Sequence, residues 1–205
     1  MGWPAALATT LQNDRVLLTP VQPGDRAALC ALALDEQIWR YFVVRIQTAE
    51  DFDTFFDAGL ADQQADRRAV YTIVDRRNDQ VAGSMSLGNL SAPDRRLEIG
   101  WSWLGTAFQG TGVNRWAKFA LLQHCFEGLA AERVEFKTDV LNLRARQGLR
   151  SIGAVEEGTL RSYNPMPGGR RRDAIFYSVL RGEWPAVKQR LLAGPSQNGP
   201  ASLSR

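Results

Sequence analysis

Apolar and polar positions change period several times along this chain, and each change marks an element. Arg15 to Val21 (RVLLTPV) reads as a strand. Pro23-Gly24-Asp25 opens a helix whose buried stripe is Leu29, Leu32 and Ala33, running to about Asp35. Ile38 to Val44 (IWRYFVV) is aromatic-rich and fits neither period. Thr48, with Asp51 three residues on, has the form of a capping box. The helix it starts carries Phe52, Phe55, Phe56 and Leu60 at helical spacing and ends near Asp66. The period then drops to two. Ala69 to Asp75 and Gln80 to Leu90 are strands joined by the turn Arg76-Arg77-Asn78-Asp79, which predicts a hairpin.

Leu97 to Glu127 is the stretch around which the other elements arrange themselves. Leu97, Ile99, Trp101 and Trp103 alternate with Glu98, Gly100 and Ser102, predicting a strand with one apolar and one small, partly polar face. Gln109-Gly110-Thr111-Gly112 is a glycine-bearing turn, and from Val113 to about Glu127 the pattern is helical. The first N–H groups of a helix lack internal partners, and its dipole adds partial positive charge there. A strand, a glycine turn and a helix start therefore form a cradle suited to phosphate. On residues alone, a tight turn into a helix with no ligand explains the pattern equally well.

Beyond it, Arg133 to Val140 alternates as a strand, and the intervening helix predicts parallel pairing with the preceding strand. Asn142 caps a helix that stops at Gly153. Val155 to Tyr163 and Asp173 to Arg181 are late strands, and Trp184 to Leu192 is a last helix. The sum is one mixed α/β domain over residues 14–193 with about seven strands. Residues 1–13 read as a loose arm and 194–205 as a disordered Gly/Pro/Ser/Asn-rich tail. A dinucleotide-binding domain is a poor fit, because the glycine turn follows the fourth strand and lacks the full G-x-G-x-x-G spacing.

Composition narrows the picture modestly. The 205 residues are 44% hydrophobic and 23% charged, as in ordinary globular proteins. No apolar run is long enough to span a bilayer and no signal-peptide pattern is present, so a cytoplasmic location is expected, with no membrane partner. The net charge of +3 is too small to mark a nucleic-acid binder, and no basic stripe interleaves with aromatics. Two cysteines, Cys30 and Cys125, sit in apolar helical patterns and read as core thiols. His124, the single histidine, has no companion ligands, and no metal is expected.

In this element order, Gln109-Gly110-Thr111-Gly112-Val113-Asn114 resembles the acetyl-CoA signature Q/R-x-x-G-x-G/A of the GCN5-related N-acetyltransferases (GNAT), in their RimJ/RimL-like branch. Asn114 departs from it at the last position. The resemblance extends to the LEIGW strand, Asn142 and its helix, the Ile152-Gly153-Ala154 turn with Glu157-Gly158, and Arg172-Asp173…Tyr177-Ser178, covering roughly Arg15 to Leu192. It implies a GNAT fold splayed between the fourth and fifth strands. It implies acetyl-CoA as co-substrate, with the pyrophosphate on the backbone of Gln109 to Asn114. The pantetheine arm would run along Trp101, Trp103 and Leu104, and Asn142 would touch it. The activity implied is N-acetyl transfer to a primary amine, either a protein N-terminus or a small molecule, by direct attack in a ternary complex. A homodimer is compatible with it.

Glu98 is the candidate base, since an attacking amine must lose a proton. A salt-bridged strand glutamate, with Arg96 as partner, is the alternative. Trp39, Tyr41 and Phe42 fall where related enzymes form the acceptor wall, or merely pack helices. The family often places Ser or Tyr in the helix after Asn142 to protonate the thiolate, but Ala145, Gly148 and Leu149 cannot donate, and Ser151 is a weak substitute. That gap favours the rival reading, a non-catalytic acyl-CoA-binding or regulatory module. Arg170-Arg171-Arg172 reads as a solvated loop, with a 3′-phosphate or acidic partner as the alternative.

Overall fold

The computed structural model describes residues 7–193. Along the chain lie β1 (Leu11–Gln12), β2 (Val16–Pro20), α1 (Arg26–Ala33), α2 (Ala49–Gln64), β3 (Ala69–Asp75), β4 (Gln80–Ser91) and β5 (Arg96–Leu104). They are followed by α3 (Val113–Gln123), β6 (Arg133–Asp139), α4 (Leu143–Ser151), β7 (Val155–Pro165), β8 (Arg171–Leu180) and α5 (Trp184–Ala193). The strands form one eight-stranded sheet in the order β1-β2-β3-β4-β5-β6-β8-β7. All neighbours are antiparallel except β5 and β6, which the α3 crossover makes parallel.

The eighth strand is the addition to the expected count. Leu11 pairs with Leu18, so the segment read as a loose arm is tied to the sheet edge. It is held further by Leu7, which is buried in the core and accepts a hydrogen bond from the Tyr71 hydroxyl at its carbonyl. Residues 1–6 and the tail 194–205 lie outside the described residues.

Helices cover both faces, because β3 and much of β4 bury residues on both sides. On one face α3, α4 and α5 pack on Tyr71, Ile73, Leu97, Ile99, Val134 and Phe136. On the other, α1 and α2 pack Leu29, Phe52 and Phe56 against Val70 and Trp103. The start of α2 is set as expected: the Thr48 hydroxyl accepts from the Asp51 amide, and Asp51 accepts from Thr48 in return. The Ile38 to Val44 stretch resolves into a short 3-10 turn, Glu36–Trp39, followed by irregular chain. The helical pattern after Val113 ends in a widened turn, His124–Gly128, in which the Leu129 amide reaches back to the His124 carbonyl.

Two irregularities position the site. First, β5 and β6 pair only from Arg96↔Arg133 to Glu98↔Glu135. Beyond Glu98 the strands part, while β6 continues paired to β8 as far as Asp139↔Ala174. This is the splay that was expected. Second, β5 carries a bulge: Ser84 opposes Trp103 and Ser86 opposes Gly100, so Trp101 and Ser102 stand opposite Met85 alone. Trp101 adopts φ +49°, an uncommon conformation for a bulky residue.

Candidate active site

The bulge corrects the alternation read from the sequence. One extra residue in a strand of period two exchanges the faces beyond it. Leu97 and Ile99 face the α3 core, as expected, but Trp101 and Trp103 do not join them. A Cβ on Gly88, the partner of Glu98, would come within 2.7 Å of the Trp101 ring, which puts that ring on the Glu98 face. Trp103 belongs to the α1/α2 core and packs on Trp39 with ring centroids 5.5 Å apart. The Glu98 face is therefore aromatic as well as small.

Glu98 is buried, 5% exposed. Asn89 Nδ2 donates to its Oε2 at 2.6 Å, and Lys137 Nζ lies 3.3 Å from the same oxygen. Its Oε1 sits above Gly100, where an added Cβ would approach to 2.7 Å. Arg96, the partner considered from sequence, turns to Asp94 and Glu135 instead. Asn89 reaches Glu98 from a second bulge, in β4, with φ +49°. Lys137 extends over the rings of Tyr163 and Phe176, 5.4 and 5.9 Å from their centroids. Neither partner was singled out from sequence. Lys137 is legible only once Glu98 and Glu135 are known to be in register, since Lys137 then stands two residues further on the same face.

The cradle forms as the glycine pattern requires. Gly110 and Gly112 adopt φ +79° and +92°, and Gly112 is the residue before α3. L side chains resist this conformation. A Cβ on Gly110 would meet nothing within 4 Å, so the turn is open to an approaching group. Among the described residues no hydrogen bond occupies the backbone N–H of Gly110, Thr111, Gly112, Val113 or Asn114. The Gln109 side chain ties the turn to its surroundings: Nε2 donates to the Leu104 carbonyl at 3.1 Å, and Oε1 accepts from Arg144 of α4. Thr111 Oγ1 donates to the Phe108 carbonyl. Asn114 Oδ1 accepts from Lys118 Nζ at 2.6 Å. Asn142 caps α4, accepting from the Ala145 amide at 3.1 Å. Leu104 is a core residue.

Trp39 and Phe42 line a cleft of about 280 Å³, with Glu36, Arg40 and Arg45 on their side and Met166 and Pro167 of the β7–β8 hairpin across from them. The Trp39 indole is otherwise a core group, donating to the Ala33 carbonyl at 2.7 Å. Tyr41 is not among the residues that line this cleft; its ring lies under the Arg40 guanidinium. The arginine run is solvated in part, with Arg170 and Arg171 exposed and only Arg172 buried. Arg170 pairs with buried Asp139, Arg171 holds Ser162, and Arg172 is buried and donates to Asn164. The Ser151 hydroxyl is turned back to the Gly148 carbonyl. Among the described residues no three His, Cys, Asp or Glu side chains cluster as metal ligands, and no helix is long and apolar enough to cross a membrane.

A mixed sheet split at its one parallel seam, with a helix start whose backbone N–H groups are open and a buried carboxylate in the strand before it, has the form of an acyl-transfer enzyme. Comparison with known proteins makes the class specific. Residues 15–155 match the family model for the acetyltransferase (GNAT) domain, and the chain belongs to that family. It is 27% identical over 180 residues to the Bacillus subtilis protein named "Putative ribosomal N-acetyltransferase YdaF", an alignment covering 86% of this chain and 97% of the relative. A T. thermophilus crystal structure titled as a "putative acetyltransferase" is 34% identical, covers 90% of this chain and 95% of that one, and superposes with a TM-score of 0.81. Mycobacterium smegmatis RimJ in complex with CoA-disulfide shares the fold at 24% identity and TM-score 0.79, over 92% of this chain and 95% of that one. The protein is an acetyltransferase of this family.

Proposed function

We propose that this acetyltransferase takes its acetyl group from acetyl-CoA and delivers it to a primary amine in a ternary complex. The observation that carries the reading is the open β5–β6 seam, with unoccupied backbone N–H groups at one end and buried Glu98 where the strands part. The residues fit the donor. Gly110 to Asn114 would hold its diphosphate on backbone amides, and the β5 edge beyond Glu98 would pair with its pantetheine arm as an added strand. Asn142 would contact the same arm. The thioester supplies the activated acyl carbon, which backbone amides at the seam would polarise.

The acceptor nitrogen forms the new amide bond as the carbon–sulfur bond breaks. Glu98 receives the proton the nitrogen sheds, directly or through water. The thiolate takes its proton from water, which a thiol pKa of about 8.5 allows. This accommodates an α4 whose only hydroxyl, on Ser151, already donates to Gly148. The cleft between Trp39, Phe42 and the Met166-Pro167 hairpin would receive the acceptor. The name of the Bacillus subtilis relative, a putative ribosomal N-acetyltransferase, favours an amine of a protein over a small-molecule amine.

The test is thiol release from acetyl-CoA with a panel of N-terminal peptides and small amines, the product identified by mass. Acetyl-CoA binding without transfer to any amine would refute the reading.

A further inference from the structure

Lys118 is out of place by ordinary rules. It sits in α3 within the run Ala117 to Leu122, every member of which is buried, and is itself 8% exposed. A buried ammonium is costly unless an anion or several acceptors compensate it. Here the partner is a neutral amide, Asn114 Oδ1 at 2.6 Å. Among the described residues no carboxylate answers it: Glu127, the acid at the far end of this helical segment, is taken by Lys188 and Trp184 of α5. The neighbouring cation, Arg115, turns to the carbonyls of Arg190 and Leu191. Glu98 of β5 belongs to the other face of the sheet, with Lys137. Buried Cys125 is one further titratable group on this helical segment, and burial pushes its thiol up, leaving it neutral. The fold thus keeps an uncompensated positive charge one helical turn inside the cradle, tethered to a residue whose backbone N–H belongs to that cradle.

We propose that Lys118 is the counter-charge for the donor's diphosphate, positioned by Asn114, so that the bound anion compensates an ammonium that the empty fold leaves unmatched. The inference rests on the acetyl-CoA reading above. It also accounts for Asn114, the one departure from the glycine signature, because its amide oxygen aims the ammonium. A Gly or Ala at that position could not. Burial lowers the Lys118 pKa to about 8, with no opposing charge contribution. A bound polyanion favours the charged form and raises that pKa, so donor binding takes up a proton wherever free Lys118 is neutral. Donor affinity is then flat well below pH 8 and weakens as pH rises through it.

The experiment is calorimetric titration of acetyl-CoA and of S-acetylpantetheine, which lacks the diphosphate, into wild type, Lys118→Met and Asn114→Ala, with unfolding temperatures measured alongside. Lys118→Met should bind acetyl-CoA about tenfold or more weakly at pH 7, bind S-acetylpantetheine as wild type does, and lose no thermal stability. Asn114→Ala should shift acetyl-CoA affinity in the same direction by less. The wild-type loss of affinity above pH 8 should be absent in Lys118→Met. Acetyl-CoA affinity within twofold of wild type, equal losses for both donors, or a fall in thermal stability parallel to the affinity loss would each overturn the proposal. Wild type that bound no acetyl-CoA at any pH would instead overturn the donor reading itself.

Discussion

Gly100→Ala is the sharpest probe of the carboxylate, because it acts on Glu98 without changing it. The new Cβ would lie 2.7 Å from Glu98 Oε1 and 3.4 Å from its Cδ. It meets the far end of a flexible side chain, not backbone, so the fold has a cheap escape: the carboxylate swings away. That movement breaks the Asn89 bond and the Lys137 contact at Oε2. A hydrogen bond to a charged group contributes about 1.5–3 kcal/mol, and an alanine in place of glycine returns part of this through the unfolded chain. The net loss should be about 1–2 kcal/mol, or about 2–8 °C of unfolding temperature for a domain of this size. Catalysis should suffer more, because a positioned base is worth about 10²–10⁴-fold. We therefore expect kcat to fall by about 10²-fold or more with acetyl-CoA affinity held, since the cradle lies well beyond Gly100 in sequence and is untouched. Steady-state kinetics with saturating donor, beside calorimetric donor binding, reads both. Wild-type kcat in a folded Gly100→Ala variant would refute the role given to Glu98 and the geometry that supports it.

Other substitutions test the remaining parts. Glu98→Gln keeps the shape and should lower turnover at neutral pH far more than donor affinity; an unchanged pH–rate profile would remove Glu98 from the base role. Gly112→Val places a β-branched residue at φ +92° and should abolish acetyl-CoA binding in titration, whereas surviving binding would misplace the diphosphate. Asn142→Ala should cost about 1 kcal/mol by denaturant titration for the lost cap, and a parallel loss of donor affinity would show that the side chain also serves the pantetheine arm. Arg77 holds buried Asp75 below the usual carboxylate range. Its stabilising contribution is therefore complete above the unfolded value near 3.8 and is lost as pH falls through the lower folded value. Asp75→Asn should flatten acid unfolding below about pH 4, followed by circular dichroism.

Much of this was legible in the residue pattern because the informative signals are local. Thr48 with Asp51, Asn142 and the Gly110/Gly112 turn each specify a backbone conformation within a few residues, and each element start appears where those residues put it. Faces were harder. The alternation from Leu97 to Trp103 is unbroken in the sequence, and nothing in LEIGWSW marks Trp101 as the residue that takes positive φ. A bulge is stabilised by what it packs against, here Gly88 of β4 and Arg68 just before β3, so its signal lies elsewhere in the chain. Lys137 and Asn89 escaped for the same reason: they meet Glu98 through strand register and a second bulge. Arg172, the buried member of the arginine run, carries no local mark of its burial, because Asp139 and Asn164, which the run meets, come from other parts of the chain.

The seam has a mechanical consequence. Strands β1 to β5 form one panel and β6, β8 and β7 another, and among the described residues ladder pairing joins them through three residue pairs, Arg96↔Arg133 to Glu98↔Glu135, with the Glu132 amide bonded to the Arg95 carbonyl just before them. A molecule lying along the open edge would act as a second suture between the panels. Amide hydrogens of Gly100 to Leu104 and of the facing part of β6 should then exchange fastest in the ligand-free sheet and slow together once the co-substrate is in place. The binding event would be recorded as a stiffening of the joint rather than as a change of shape.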